Sequence, residues 1–219
     1  MHEHAINLFQ YLTLFIAVVG LLLSCWNFYF NQLRPPTLSI SLGSKAVLGT
    51  NPNGTSIFIP TTFTNEANKP GKITDAHLLV TQSGADHEGH LIRWDSFRKL
   101  NNSTPGTTWV QESLAYPLSV MGKSAISKTI QFDWTIDNSI FTQAGVYQLE
   151  IFATQGHTSK KIHTSCKVTI NQETLKTLLA PTQQPPQRIN RIAYIDLTPD
   201  SPLNRKISRK DALKILEKS

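Results

Sequence analysis

From Leu8 to Phe30 the chain reads LFQYLTLFIAVVGLLLSCWNFYF, without one charged residue. At ~1.5 Å of rise per helical residue this stretch can cross a ~30 Å hydrocarbon core. The expectation is an N-terminal transmembrane anchor, residues 1–33, spanned by Leu12, Phe15, Ile16, Val18, Gly20 and Leu22 and finished by Trp26 and Tyr29. Phe9 and Tyr11 stand at one end, and Trp26, Phe28 and Tyr29 at the other. Amphipathic rings settle at headgroup depth, so this placement suits a spanning helix. Gly20 and Ser24 have the small-xxx-small spacing on which a homo-oligomer could pack.

The first ten residues hold no Lys or Arg, whereas Arg34 follows the apolar run closely and Lys45 lies further on. By the positive-inside tendency the N-terminus faces out and the rest of the chain faces the cytoplasm; a periplasmic domain is the alternative. A cleaved signal peptide would carry a basic n-region and a shorter apolar run ending at small residues, and neither is present. Leu22-Leu23-Ser24-Cys25 resembles a lipobox, which would make Cys25 the lipidated first residue of a periplasmic lipoprotein. The residues after it, Trp26 to Phe30, stay apolar where a lipoprotein turns small and polar.

Beyond the anchor the chain is long enough for one domain with a core of its own plus a tail. Cys25 lies in the apolar run and Cys166 in the remainder, so no disulfide can form within the soluble part. That favours a reducing compartment. The net charge of +6 is uneven: residues 188–219 contain eight Lys/Arg against four Asp/Glu. The tail is therefore basic and the domain nearly balanced.

Pro35-Pro36 stops the helix, and alternation of period two begins after it. Leu38, Ile40 and Leu42 share one face of a strand, as do Ile57, Ile59 and Phe63, and Ala76, Leu78 and Val80. Ile126, Ile130, Phe132 and Trp134 mark another strand; Tyr147, Leu149, Ile151 and Ala153, and then Ile162, Cys166, Val168 and Ile170, mark two more. Asn51-Pro52-Asn53-Gly54, Asn68-Lys69-Pro70-Gly71, residues 101–106 and Gln155-Gly156 supply turns. Seven or eight short strands at this spacing predict a mainly β chain, an antiparallel β-sandwich over residues 34–171. Residues 172–219 read as a Pro-containing linker and basic tail. Within them Glu173 to Leu179 suits a short helix and Arg191 to Leu197 a further strand, and Ser208 with Asp211 caps a terminal helix carrying Ala212, Leu213, Ile215 and Leu216.

The segment Ala144-Gly145-Val146-Tyr147-Gln148-Leu149-Glu150-Ile151 resembles the strand of an immunoglobulin-like fold that opens with a tyrosine corner. The resemblance implies that Tyr147 hydrogen-bonds to the backbone just upstream, and that the strand from Lys160 to Ile170 pairs with this one as a hairpin. The wider layout, from the N-terminal helix through a Pro-rich exit to a strand, the turn Thr64 to Gly71 and another strand, is similar to bacterial membrane-anchored immunoglobulin-like β-sandwich proteins. It implies a fold and an inner-membrane address, and no activity.

Residues with metal-binding chemistry crowd at Asp86-His87-Glu88-Gly89-His90, between two expected strands. His87, Glu88 and His90 are the candidate ligands, but zinc needs three or four donors converging at ~2.0–2.3 Å, which a flexible polar loop rarely supplies. His2-Glu3-His4 carries less weight, at a chain end. Pro117-Leu118-Ser119-Val120-Met121-Gly122-Lys123-Ser124 misses the phosphate-loop pattern at its first glycine and runs as a strand, so Gly122-Lys123 is expected to be a hairpin turn. His163 and Cys166 have opposite strand parity and cannot form a thiol–base pair, with Cys166 in line with the core positions. Neither a catalytic signature nor a cofactor fingerprint is legible.

Arg205, Lys206, Arg209 and Lys210 form a basic patch suited to anionic lipid; it lacks the aromatic interleaving of a nucleic-acid surface, and no nucleic acid is expected. The chain is thus expected to be a non-catalytic, membrane-anchored protein-binding or scaffold module with lipid and a protein as partners. The alternative is a ligand-sensing or effector subunit, binding around residues 84–98 and signalling through its anchor.

Overall fold

A computed structural model describes residues 2–51, 54–83, 89–101, 108–135, 139–156, 160–179 and 191–197, with the side chains of residues 2–9, 51, 108 and 191 left aside. The fold is mostly antiparallel β, with an apolar helix first and a short helix late.

Helix α1 spans His2–Phe28 and passes into a π-helical turn, Tyr29–Leu33. Asn31 Nδ2 donates to Asn27 Oδ1 at 2.6 Å, and Arg34 N donates to Tyr29 O at 3.0 Å. Arg34 then turns extended, with ψ 126°, as a residue preceding proline must. Leu12, Phe15, Ile16, Leu22 and Trp26 are all more than half exposed, so nothing in the described structure covers this apolar surface. The helix is long and apolar enough to cross a membrane.

Eleven strands follow: β1 (Leu38–Leu42), β2 (Lys45–Asn51), β3 (Gly54–Asn65), β4 (Gly71–Gln82), β5 (Gly89–Asn101), β6 (Thr108–Leu114), β7 (Leu118–Val120), β8 (Ser124–Trp134), β9 (Gly145–Gln155), β10 (Lys161–Ile170) and β11 (Arg191–Asp196). Helix α2, Gln172–Leu179, lies between β10 and β11. Every strand with a quoted alternating face is present, and β9 and β10 form the expected hairpin, with Tyr147 opposite Val168.

The pairing runs β10-β9-β4-β5-β8-β3-β2-β11 as one curled, antiparallel path. Its two halves meet in β5. Residues 89–93 pair with β4, and then a register shift between Trp94 and Ser96 accompanies pairing of the later residues with β8. A bulge increases local twist and turns a strand, which is how β5 serves both halves. β1 and β2 share one edge of β3, while β6 and β7 pair with β5 and β4.

Inward side chains from both halves make the core, in which Phe63, Phe97, Phe132 and Phe141 are fully buried. Each such side chain stabilises the fold by about 1.5–3 kcal/mol through apolar burial. Leu175 and Leu178 of α2 and Ile195 and Leu197 at β11 belong to the same cluster, so packing continues past residue 171. Helix α2 starts where Asn171 Oδ1 accepts from Thr174 N at 2.7 Å, an N-cap. The terminal helix expected over 212–216 and the patch Arg205, Lys206, Arg209 and Lys210 lie outside the described residues.

Candidate functional site

A groove of about 370 Å³ lies on the flank of the sheet between Leu42 at the end of β1 and Gly43 after it, Pro60 and Thr62 of β3, Thr129 of β8 and Arg98 of β5. Alternation brings these polar side chains together: Pro60 faces Thr129 and Thr62 faces Ser127 across the β3–β8 ladder, and Arg98 faces Thr129 from β5. Thr62 Oγ1 and Ser127 Oγ are hydrogen-bonded at 2.8 Å.

Charge in the groove is mostly basic. Lys128 Nζ passes over the Phe97 ring, 5.7 Å from its centroid, and donates to Glu112 Oε1 at 2.6 Å. Arg98 lies 5.6 Å over the Phe58 ring and donates through Nε to Gln131 Oε1. Lys99 also lines the groove, so Glu112 answers one cation of three.

Beneath Arg98 is a buried polar chain. Gln131 Oε1 also accepts from Ser96 Oγ at 2.9 Å, and Gln131 Nε2 donates to Asp133 Oδ2 at 2.6 Å. Phe58, over which Arg98 lies, is tilted at 53° to Trp109 with centroids 6.0 Å apart. Asp133 Oδ1 and Trp109 Nε1 are buried without a hydrogen-bond partner among the described residues. The groove can therefore hold an anionic or hydrogen-bonding group against a preset guanidinium.

Edge strand β6 borders the groove. It pairs only with β5 among the described strands, and Leu114 is 68% and the following Tyr116 47% exposed. Tyr116 is anchored from behind, edge-on to Phe97 at 5.3 Å.

Of the metal-ligand candidates, His87 and Glu88 lie outside the described residues. His90 pairs with Val80 near the start of β5 and meets the Trp134 ring edge-on at 4.9 Å. Among the described residues no group of three His, Cys, Asp or Glu side chains could hold a metal ion. His163 and Cys166 point to opposite sides of β10. His163 Nε2 is 2.9 Å from Glu150 Oε2 and its ring stacks on Phe152, whereas Cys166 packs on the core. Burial pushes the Cys166 thiol up to about 11, away from a thiolate at neutral pH.

The phosphate-loop near-match is β7 followed by a turn into β8, with Lys123 left-handed at φ 52°. On α1, Gly20 has open space around it and Cys25 is exposed. The groove and the β6 edge are functional candidates that alternation alone did not mark: past the β5 bulge Ser96 faces Gln131 and the Arg98 side chain reaches the same amide, and the bulge has no sequence signature of its own.

No family model matches the chain, and no curated protein does. Among solved structures it is similar to a family 123 glycoside hydrolase from Clostridium perfringens, at 13% identity and a TM-score of 0.35, covering 62% of this chain and 27% of that one. It is also similar to a protein from Archaeoglobus fulgidus, at 12% identity and a TM-score of 0.28 over 62% of this chain and 96% of that one. A late embryogenesis abundant (LEA) protein matches at 12% identity and a TM-score of 0.32 over 70% of this chain and 83% of that one. The chain spans about a quarter of the hydrolase's length, and likenesses at these scores carry no argument about fold or function.

Proposed function

We propose that this chain is a single-pass, membrane-anchored, immunoglobulin-like β-sandwich that works as a non-catalytic protein-binding module, with its body on the cytoplasmic side. The β6 edge carries the reading. An open edge strand offers unpaired backbone donors and acceptors to an incoming strand, and natural edges are usually blunted by charge or proline. Here the edge ends in exposed Leu114 and Tyr116 and runs beside the Arg98, Lys99 and Lys128 groove. A partner fitting this surface adds a strand to β6, covers Leu114, and sets an acidic side chain towards Arg98.

Support for the immunoglobulin-like reading comes from Tyr147, whose hydroxyl donates to Gln143 O at 2.9 Å in the manner of a tyrosine corner. Support for the anchor comes from the bare apolar surface of α1, and for the cytoplasmic side from Arg34 directly after it.

The test is photo-crosslinking of the full chain in its own membranes, with the photoreactive residue at Leu114, Tyr116 or, as a control, Lys167 on β10. A discrete adduct at the first two positions and none at the third supports the reading, especially if Arg98→Glu removes it. Equal labelling at all three positions, or none at any, would sink it.

A further inference from the structure

We propose that the end of the β body next to α1 is a preformed binding surface for anionic phospholipid headgroups of the membrane that holds the anchor. The proposal rests on reading α1 as that anchor. It concerns the described body itself and is separate from the basic tail.

Chain geometry fixes which end of the body meets the membrane. Only residues 35–37 separate Arg34 from β1. At ~3.5 Å per extended residue, Leu38 stays within ~14 Å of Arg34. Asn68 Nδ2 also donates to Asn31 Oδ1, which ties the β3–β4 turn to the last turn of the helix.

The ladders then say what else lies at that end. Leu38 faces Asn65 at the end of β3, and Asn65 faces Ser124 at the start of β8. Gly71 at the start of β4 faces Val120. Gln155 at the end of β9 faces Ile73, and Gly156 N donates to Lys72 O at 2.8 Å. Three turns therefore converge beside the helix exit: the one after Asn65, the one after Val120 and the one after Gln155.

Their charge is one-sided. Arg34, Lys69, Lys72, Lys123, Lys160 and Lys161 are all exposed here, and Glu66 is the acidic residue among them. Between Arg34, Glu66 and Lys123 there is a recess of about 600 Å³, with room for a phosphate group. Met121, 64% exposed, projects from the same turn as Lys123 and supplies an apolar tip. Cations ringing an apolar tip match the headgroup–acyl boundary. Held within ~8–10 Å of an anionic leaflet, they act inside the Debye length.

The surface is also rigid. Asn65, buried, donates through Nδ2 to the carbonyls of Lys69, Val120 and Met121, and its Oδ1 accepts from Ala67 N at 3.1 Å. Lys123 N donates to Ala67 O at 2.9 Å. One side chain thus locks two cationic turns together, and little backbone ordering remains to be done on contact with lipid.

The experiment uses the full chain in nanodiscs of phosphatidylcholine alone or with three parts in ten phosphatidylglycerol, read by hydrogen exchange. The expected result is severalfold slower exchange of the amides in residues 66–73 and 121–125 in the anionic discs, reversed by high salt. It should be lost in the triple variant Lys69→Gln, Lys72→Gln, Lys123→Asn and kept in the control Lys45→Gln, Lys167→Gln, which lies away from this end. Asn is chosen at Lys123 because it tolerates the left-handed backbone. Equal exchange in both disc types, with the chain incorporated, would overturn this proposal alone. So would slowing that inorganic phosphate reproduces in neutral discs, which would make it a soluble-anion site. Failure of the anchor shows separately, as chain that elutes without discs, and overturns both readings.

Discussion

The Tyr147 hydroxyl reaches back to the carbonyl oxygen of Gln143 at 2.9 Å, while its ring lies edge-on to Phe141 with centroids 5.0 Å apart. The bond satisfies an acceptor at the entry to β9, and the ring contact seats that entry on the core. Tyr147→Phe keeps the ring and removes the donor, so it should destabilise the body by about 1 kcal/mol. Tyr147→Ala loses the packing as well and should cost about 3–5 kcal/mol. Urea unfolding of both variants checks the ratio; equal losses would mean that the hydroxyl contributes nothing.

The Asn65 amide serves four backbone groups at once. Asn65→Ala leaves the Lys69, Val120 and Met121 carbonyls and the Ala67 amide without their partner, at a cost of roughly 2–4 kcal/mol. Asn65→Asp should be no better, because a carboxylate keeps the acceptor and sets negative charge against three carbonyls. Thermal unfolding distinguishes this from a simple cavity effect, which Asp would largely fill.

Gly122 packs so closely on the Asn68 carbonyl that a Cβ there would overlap its oxygen. Gly122→Ala must push the two turns apart. The expected result is loss of at least about 2 kcal/mol of stability and faster proteolysis between β7 and β8, the two read in parallel by pulse proteolysis.

Folding raises the Cys166 thiol from 9.0 to about 11 through burial, so the folded state holds this proton more tightly than the unfolded one. The linked stabilisation is complete below pH 9 and is lost as pH rises through about 11. Tyr147, also raised by burial from 10.0, adds to the alkaline loss. Thermal midpoints should fall across this range, and Cys166→Ala should flatten part of the fall. A flat profile in the parent chain would refute the assignment.

The proposed orientation places the C-terminus in the cytoplasm. A fluorescent reporter fused there should fluoresce, and an alkaline phosphatase fusion should be inactive. Active phosphatase would reverse the side and bring lipidation at Cys25 back into consideration, which the mass of the mature chain then decides.

Strands with one wet face were legible because burial alternates along them. In β9 Tyr147, Leu149, Ile151 and Ala153 are buried while the residues between them are not. β2 escaped because Ala46, Val47 and Leu48 are all buried, giving an apolar run without a period. β5 escaped because its bulge breaks the parity: Ile92 and Trp94 face the core, and then Phe97 does. β6 is an edge whose apolar residues Leu114 and Val110 do not share a buried face. The groove inherits this difficulty, since Arg98, Gln131 and Glu112 come from three strands and only the completed ladder makes them neighbours.

The shared strand β5 has a consequence for how the chain is made. β4 is flanked by β5 and β9, yet β6, β7 and β8 must all be synthesised before β9 leaves the ribosome. During that interval Leu78 and Val80 lie on a strand with one open edge. Non-local pairings of this kind close late. A chaperone guarding that edge would be needed only for the seconds of translation, so depletion of such a factor should lower the yield of folded chain without changing its stability once made.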